Sequence, residues 1–113
     1  MQPARLRRQG AYALSGATDT DVTILAETFR LLGDPTRLKV LLACLNEPVA
    51  VTDIARRIEA SPSLVSHHLR LLRAARLVTG ERRNKQVFYE AADEHVRHML
   101  ADMLAHSEEE AEG

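Results

Sequence analysis

Apolar positions recur every three or four residues through most of this chain, and the rhythm changes once, near its middle. Val22, Leu25, Phe29 and Leu32 predict a first helix, with Asp19 or Asp21 able to cap it. Gly33-Asp34-Pro35 ends that helix and opens a second, with Asp34 as N-cap and Pro35 at the first helical position. Leu38, Leu41, Leu42 and Leu45 supply its inward stripe, and Asn46-Glu47-Pro48 stops it. In VAVTDIARRIEAS, Thr52 can cap a short helix carrying Ile54, Ala55 and Ile58. Ser61 and Pro62 then open SPSLVSHHLRLLRAAR, with Val65, Leu69 and Leu72 facing inward. Across 77–90 the period shortens: Leu77 and Val78, then a basic tip, then Val87, Phe88 and Tyr89 predict a β-hairpin. Asn84 accepts the left-handed turn conformation better than most residues, and Asp93 begins a last helix.

These elements describe a mainly α domain with a small β-hairpin. Two short helices across a brief turn, followed by a basic hairpin, form a winged helix-turn-helix. Residues 1–18 lack periodicity and read as a flexible N-terminal extension, 19–110 as the domain, and 111–113 as a tail. With 113 residues the chain can build one modest core, and with two Tyr, two Phe and no Trp that core must be largely aliphatic. No apolar run is long enough to span a membrane, and the first residues lack the apolar core of a signal peptide, so a cytoplasmic location is expected. The single cysteine, Cys44, lies among leucines and reads as a small buried hydrophobe.

A net charge of −1 hides an asymmetry. From Arg56 to Gln86 there are eight basic residues against two acidic ones, a net of +6; from Asp93 onward there are seven acidic residues against Arg97, a net of −6. A basic middle suits a polyanion and an acidic end suits a cation. A recognition helix presents its N-terminal residues to the major groove, which here are Ser63, Ser66, His67 and His68, with Arg70 and Arg73 beyond them; the plainer reading of the histidine pair is one surface and one partly buried residue. Arg82, Arg83 and Lys85 at the hairpin tip would add phosphate or minor-groove contacts. One short helix reads little sequence, so a dimer is expected.

His95 and His106 raise a separate question. Eleven residues is close to three turns, so both imidazoles share a face, yet they stand about 16 Å apart along the axis. One metal ion needs its donors about 2 Å away, so one copy of the helix cannot close a site with both.

The strings LLGDPTRLKVLLAC, VTDIARRIEASPSLVSHHLRLLRAARLV and RRNKQVFYE resemble the ArsR/SmtB family of winged-helix, metal-responsive repressors, over roughly residues 22 to 110. The hairpin turn departs from that pattern, with Asn84 where glycine is common. The resemblance implies a homodimer, joined through its N- and C-terminal helices, that binds an imperfect palindrome of operator DNA and represses transcription. One group within the family uses paired cysteines before the recognition helix; the matching stretch here, NEPVAVTDIA, has none, which excludes a thiolate site there. Another group uses Asp-x-His, then His eleven residues on, then His or Glu three further. Asp93, His95, His106 and Glu109 stand at those spacings.

If two such helices cross antiparallel, Asp93 and His95 of one copy meet His106 and Glu109 of the other, in two symmetric clusters. Two imidazoles and two carboxylates suit Zn²⁺, with Co²⁺ close behind; Ni²⁺ would want a larger shell. Each residue also has a plainer role. Asp93 can be an N-cap, the histidines surface residues, and Glu108 or Glu110 can replace Glu109. His98 and Asp102 share the face as competing donors, while Val96, Leu100, Met103 and Leu104 form an apolar stripe. The expected mechanism is a metal-free dimer that represses and a metal-bound one that releases DNA. The rivals are the same dimer answering another ligand or none, and a zinc-binding interaction module without DNA function, which would lack salt-dependent DNA binding. No nucleophile–base arrangement suggests an enzyme.

Overall fold

The computed structural model describes residues 14–112; of the extension expected at 1–18, residues 1–13 lie outside them. Two compact units divide at Gly33 and Asp34. The first contains α1 (Asp19–Leu32). Its cap is neither Asp19 nor Asp21 but Thr18, whose hydroxyl accepts the Asp21 N–H at 3.1 Å while the Asp21 carboxylate accepts the Thr18 N–H at 3.0 Å. This reciprocal pair satisfies two donors that a helix start otherwise leaves open. Val22, Leu25 and Phe29 keep the expected spacing but are exposed, as is Ile24; of the apolar positions only Leu32 is buried.

The second unit runs α2 (Pro35–Ala43), β1 (Val49–Ala50), α3 (Val51–Ile58), α4 (Pro62–Ala74), β2 (Val78–Arg83), β3 (Gln86–Ala91) and α5 (Glu94–Glu112). Asp34 caps α2 as expected, accepting the Arg37 N–H at 3.1 Å, and Pro35 follows it. That amide bond is the main reason the Asp34 carboxyl titrates below its ordinary value. The buried stripe of α2 is Val40, Leu41, Cys44 and Leu45, with Leu38 and Leu42 only half-buried. α2 packs against both α3 and α4, which widens and turns its buried face. Burial raises the Cys44 thiol pKa to about 12, in keeping with an inert core residue.

Thr52 does not cap α3. Helix entry is at Ala50, with no side-chain cap, because residues 49–50 form a strand that leads straight into the helix. Among the described residues that strand is the one element absent from the sequence pattern: it pairs antiparallel with β3, Val49 opposite Tyr89 and Ala50 opposite Phe88. The sheet order is β1-β3-β2. The β2–β3 hairpin closes through Asn84 and Lys85, Asn84 taking φ 59° as its side chain permits. Gly80 sits opposite Tyr89, and a Cβ there would come within 2.8 Å of the ring, so only glycine lets the tyrosine lie across β2.

Between α3 and α4 the chain turns through Glu59, a left-handed residue at φ 57°, then Ala60 and the cap Ser61. α4 buries Val65, Leu69 and Leu72, each worth about 1.5–3 kcal/mol if fully removed from water. His68 joins them at 5% exposure, its Nδ1 buried and without a hydrogen-bond partner among the described residues. Burial, then the positive charge of Arg37, push its pKa below the ordinary histidine value, with Asp34 opposing.

Two outcomes follow from these local features. A left-handed conformation costs a non-glycine residue about 1–2 kcal/mol, part of which glycine loses again in the unfolded chain. Glu59→Gly should therefore raise stability by about 1 kcal/mol in urea denaturation, and a loss would contradict the strain assigned to this turn. For His68 the folded state favours the neutral ring, so the unfolded state takes up its proton first as pH falls. Stability is lost from the ordinary histidine pKa downward until the folded pKa is passed. His68→Leu should flatten the decline in stability between pH 7.5 and 5.5; an unchanged slope would mean that His68 does not titrate as a buried neutral group.

Candidate nucleic-acid interface and metal donor set

α4 begins sharply because the Ser61 hydroxyl accepts the Leu64 N–H at 3.1 Å and Pro62 occupies the first helical position. With its inner face fixed, Ser63, His67, Arg70 and Arg73 emerge at three- and four-residue steps on the outer face, all exposed. Ser66 is half-buried at the edge of that face. His68 is a correction: it was expected among the DNA contacts, but it points into the core, tilted 59° from the His67 ring at 5.4 Å. Leu64 went unrecognised and is 42% exposed near the start of α4. The signal was its place off the 65/69/72 stripe; an outward aliphatic group at this end suits contact with a thymine methyl.

The hairpin carries Arg82, Arg83 and Lys85 on exposed positions. Arg83 pairs with Glu81 at 2.9 Å and lies 5.1 Å over the Phe88 ring, which orients it along the strand. Among the described residues Arg70, Arg73, Arg82 and Lys85 form no ion pair, leaving their charge for an external anion. Arg57 and Arg56 belong to the basic stretch but are engaged elsewhere. Arg57 donates to the Ala43 carbonyl at 2.9 Å and Arg56 pairs with Asp53 at 2.7 Å.

On α5, Asp93 does cap the helix: its Oδ1 accepts the Val96 N–H at 3.0 Å. His95, His98, Asp102, His106 and Glu109 are all exposed. Glu94 accepts from Arg97 at 2.7 Å, a bond that is the first cause of its lowered pKa, and stands 3.8 Å from His98 Nε2. Arg97 also donates to the Leu45 carbonyl at 2.8 Å, tying the start of α5 to the end of α2. The apolar stripe divides in two. Val96 and Leu100 are buried in this chain, whereas Met103 and Leu104 are exposed. Among the described residues no three potential metal donors gather within one chain, in agreement with the 16 Å argument from spacing. The donor types fit a divalent transition ion, but a single copy does not assemble them.

A backbone route links this helix to α4. The Ala92 N–H donates to the Leu77 carbonyl at 3.0 Å, and the Leu77 N–H to the Leu72 carbonyl at 2.9 Å.

Comparison with known proteins agrees with the winged helix-turn-helix fold. Residues 34–79 match the model of "Bacterial regulatory protein, arsR family". The chain is 39% identical over 85 residues to the transcriptional repressor SmtB homolog of Synechocystis, covering 75% of this chain and 64% of that protein, a little under two thirds of its length. It is 40% identical over 84 residues to the HTH-type transcriptional regulator NmtR of Mycobacterium tuberculosis, covering 74% and 70%. A homodimeric winged helix-turn-helix DNA-binding domain from Mycobacterium bovis, solved in solution, superposes with a TM-score of 0.72 at 25% identity, covering 86% and 93%. The chain therefore belongs to the arsR family of bacterial regulatory proteins.

Proposed function

We propose that this protein is a metal-responsive transcriptional repressor whose homodimer binds an imperfect palindrome through α4 and the β2–β3 wing. The observation that carries the reading is the placement of Asp93 and His95 at one end of α5 and His106 and Glu109 near the other, all exposed. Such a set has a use when a second helix lies antiparallel beside it. Exposed Val22, Ile24, Leu25 and Phe29 on α1, and Met103 and Leu104 on α5, give the copies apolar surface to bury. The relatives named as repressor and regulator, and the homodimeric neighbour, support the same reading.

On DNA, Ser63, Ser66 and His67 reach base edges, with Leu64 against a methyl group, while Arg70, Arg73, Arg82, Arg83 and Lys85 neutralise phosphates. His68 stays in the core and positions the helix. Zn²⁺ is the preferred effector, with Co²⁺ or Ni²⁺ as alternatives. When bound it supplies positive charge and coordination bonds that hold imidazole and carboxylate donors of two helices together. Asp93 and His95 of one copy and His106 and Glu109 of the other would hold it. A change in how the two α5 helices meet would be passed from residues 92–93, through Leu77 and Leu72, to the C-terminal end of α4. The two recognition helices would then no longer match successive major grooves, and the operator would be released. By linkage, DNA weakens metal binding by the same factor, typically about 1–3 kcal/mol. No catalytic role is proposed.

Fluorescence anisotropy on a duplex selected by the protein from random sequence tests this reading. Zn²⁺ should weaken binding by about 5–150-fold, and His95→Ala/His106→Ala should abolish that response while leaving metal-free affinity intact. Tight binding indifferent to zinc would keep the DNA reader and remove the sensor. Affinity should also fall steeply with salt, and Arg82→Gln should shallow that slope by about one unit if Arg82 meets a phosphate.

A further inference from the structure

His98 and Asp102 lie one turn apart on α5, both exposed, the His98 side chain 74% so. Neither belongs to the donor set above. At 100° per residue, His95, His98, Asp102, His106 and Glu109 all fall within about 80° of arc, a single donor-rich face. Antiparallel pairing gives these positions a shared register. Asp93 with Glu109, His95 with His106, and His98 with Asp102 have midpoints within one residue of each other, from residue 100 to residue 101. A crossing that brings the first two pairs together across the helices therefore brings the third together as well, closer to the two-fold axis.

Resting on the antiparallel pairing proposed above, we infer that His98 and Asp102 form an inner donor pair that shares His95 and His106 with the outer pair, Asp93 and Glu109. Each cluster then offers two alternative quartets. The outer one has two imidazoles and two carboxylates. The inner one is His95 and His98 of one copy with Asp102 and His106 of the other, three imidazoles and one carboxylate. His95 reaches His98 at i+3, and His106 reaches Asp102 at i−4, spacings at which helix side chains meet. Asp102 and Glu109 stand about 10.5 Å apart along the axis, too far for both arms to reach one ion, so the quartets are alternatives and not a single shell. Two features make the inner set a full alternative to the outer one. Asp93 already has Oδ1 engaged as the N-cap, while His98 has only the 3.8 Å approach of its Nε2 to Glu94 to give up and Asp102 projects from the regular helix interior. Ordering the longer Glu109 side chain also costs more rotamer entropy than ordering Asp102. Three imidazoles shift preference toward ions that favour nitrogen, Zn²⁺, Co²⁺ and Ni²⁺, over those that favour oxygen.

The test uses full-length dimer and Co²⁺ alone, followed by visible absorption and by competition with a chelator of known affinity. Asp93→Asn/Glu109→Gln should stay within about tenfold of the parent in affinity, since Asn preserves the cap and the inner quartet remains. Adding His98→Gln/Asp102→Asn to that variant should weaken binding at least about 100-fold, the upper range for losing even an indirect partner of a bound metal. The absorption bands of the outer variant should also differ from those of His98→Gln/Asp102→Asn alone, because their donors differ. Circular dichroism confirms that each variant is helical. If Asp93→Asn/Glu109→Gln alone binds as weakly as the fourfold variant, the inner pair is not a donor set. If His95→Ala/His106→Ala retains parental affinity, the antiparallel sensor itself is wrong, and the inner pair falls with it.

Discussion

Burial of one face of α4 is the constraint on which the rest depends. Val65, Leu69 and Leu72 are almost wholly withdrawn from water, and His68 with them at 5% exposure. A close-packed interior allows little rotation of such a helix, so fixing its inner face fixes its outer one. Ser63, His67, Arg70 and Arg73 are exposed as a consequence of the same geometry. The Leu72 carbonyl that ends this buried stripe accepts from Leu77, whose own carbonyl accepts from Ala92. α4 is thus joined by one hydrogen-bonded junction to Ala92, the residue immediately before Asp93, which caps the last helix.

α5 is two helices in physical terms. Its first turns are anchored by Val96, Leu100 and the bond from Arg97 to the Leu45 carbonyl. From Ala101 to Glu109 every residue is exposed, and the acidic character of that half suits a cation as the basic α4 and wing suit a polyanion. In the proposed dimer, the donors at both ends of this helix would connect an anchored segment of one copy with the exposed segment of another, so that a small ion would act on the relation between two subunits and not merely on one of them.

Local chemistry was legible in the sequence wherever a few neighbouring residues decide the outcome. Asp34 and Ser61 cap their helices, Asn84 takes the left-handed turn and Asp93 accepts its i+3 amide. The misses are tertiary or competitive. Thr18 displaced Asp19 because its hydroxyl and Asp21 satisfy each other, and Thr52 lost its role because β3 recruits Val49 and Ala50 as a strand. His68 looked like its neighbour His67, yet the three-to-four-residue period of α4 carries it inward beside Val65 and Leu72. The α1 stripe was legible as a stripe, but a pattern of apolar residues does not state whether its cover comes from the same chain. The same holds for the donor residues. Their spacing is a property of one helix, whereas their meeting depends on two.

That meeting is most directly tested with mixed dimers. In a His95→Ala homodimer, and equally in a His106→Ala homodimer, each cluster lacks one histidine. A dimer made of one His95→Ala copy and one His106→Ala copy, isolated with two different affinity tags, concentrates both losses in one cluster and leaves the other complete. Equilibrium dialysis against Zn²⁺ should then recover one tightly bound ion per mixed dimer, where neither parent homodimer holds any. A mixed dimer that binds no better than its parents would contradict a site shared between antiparallel helices.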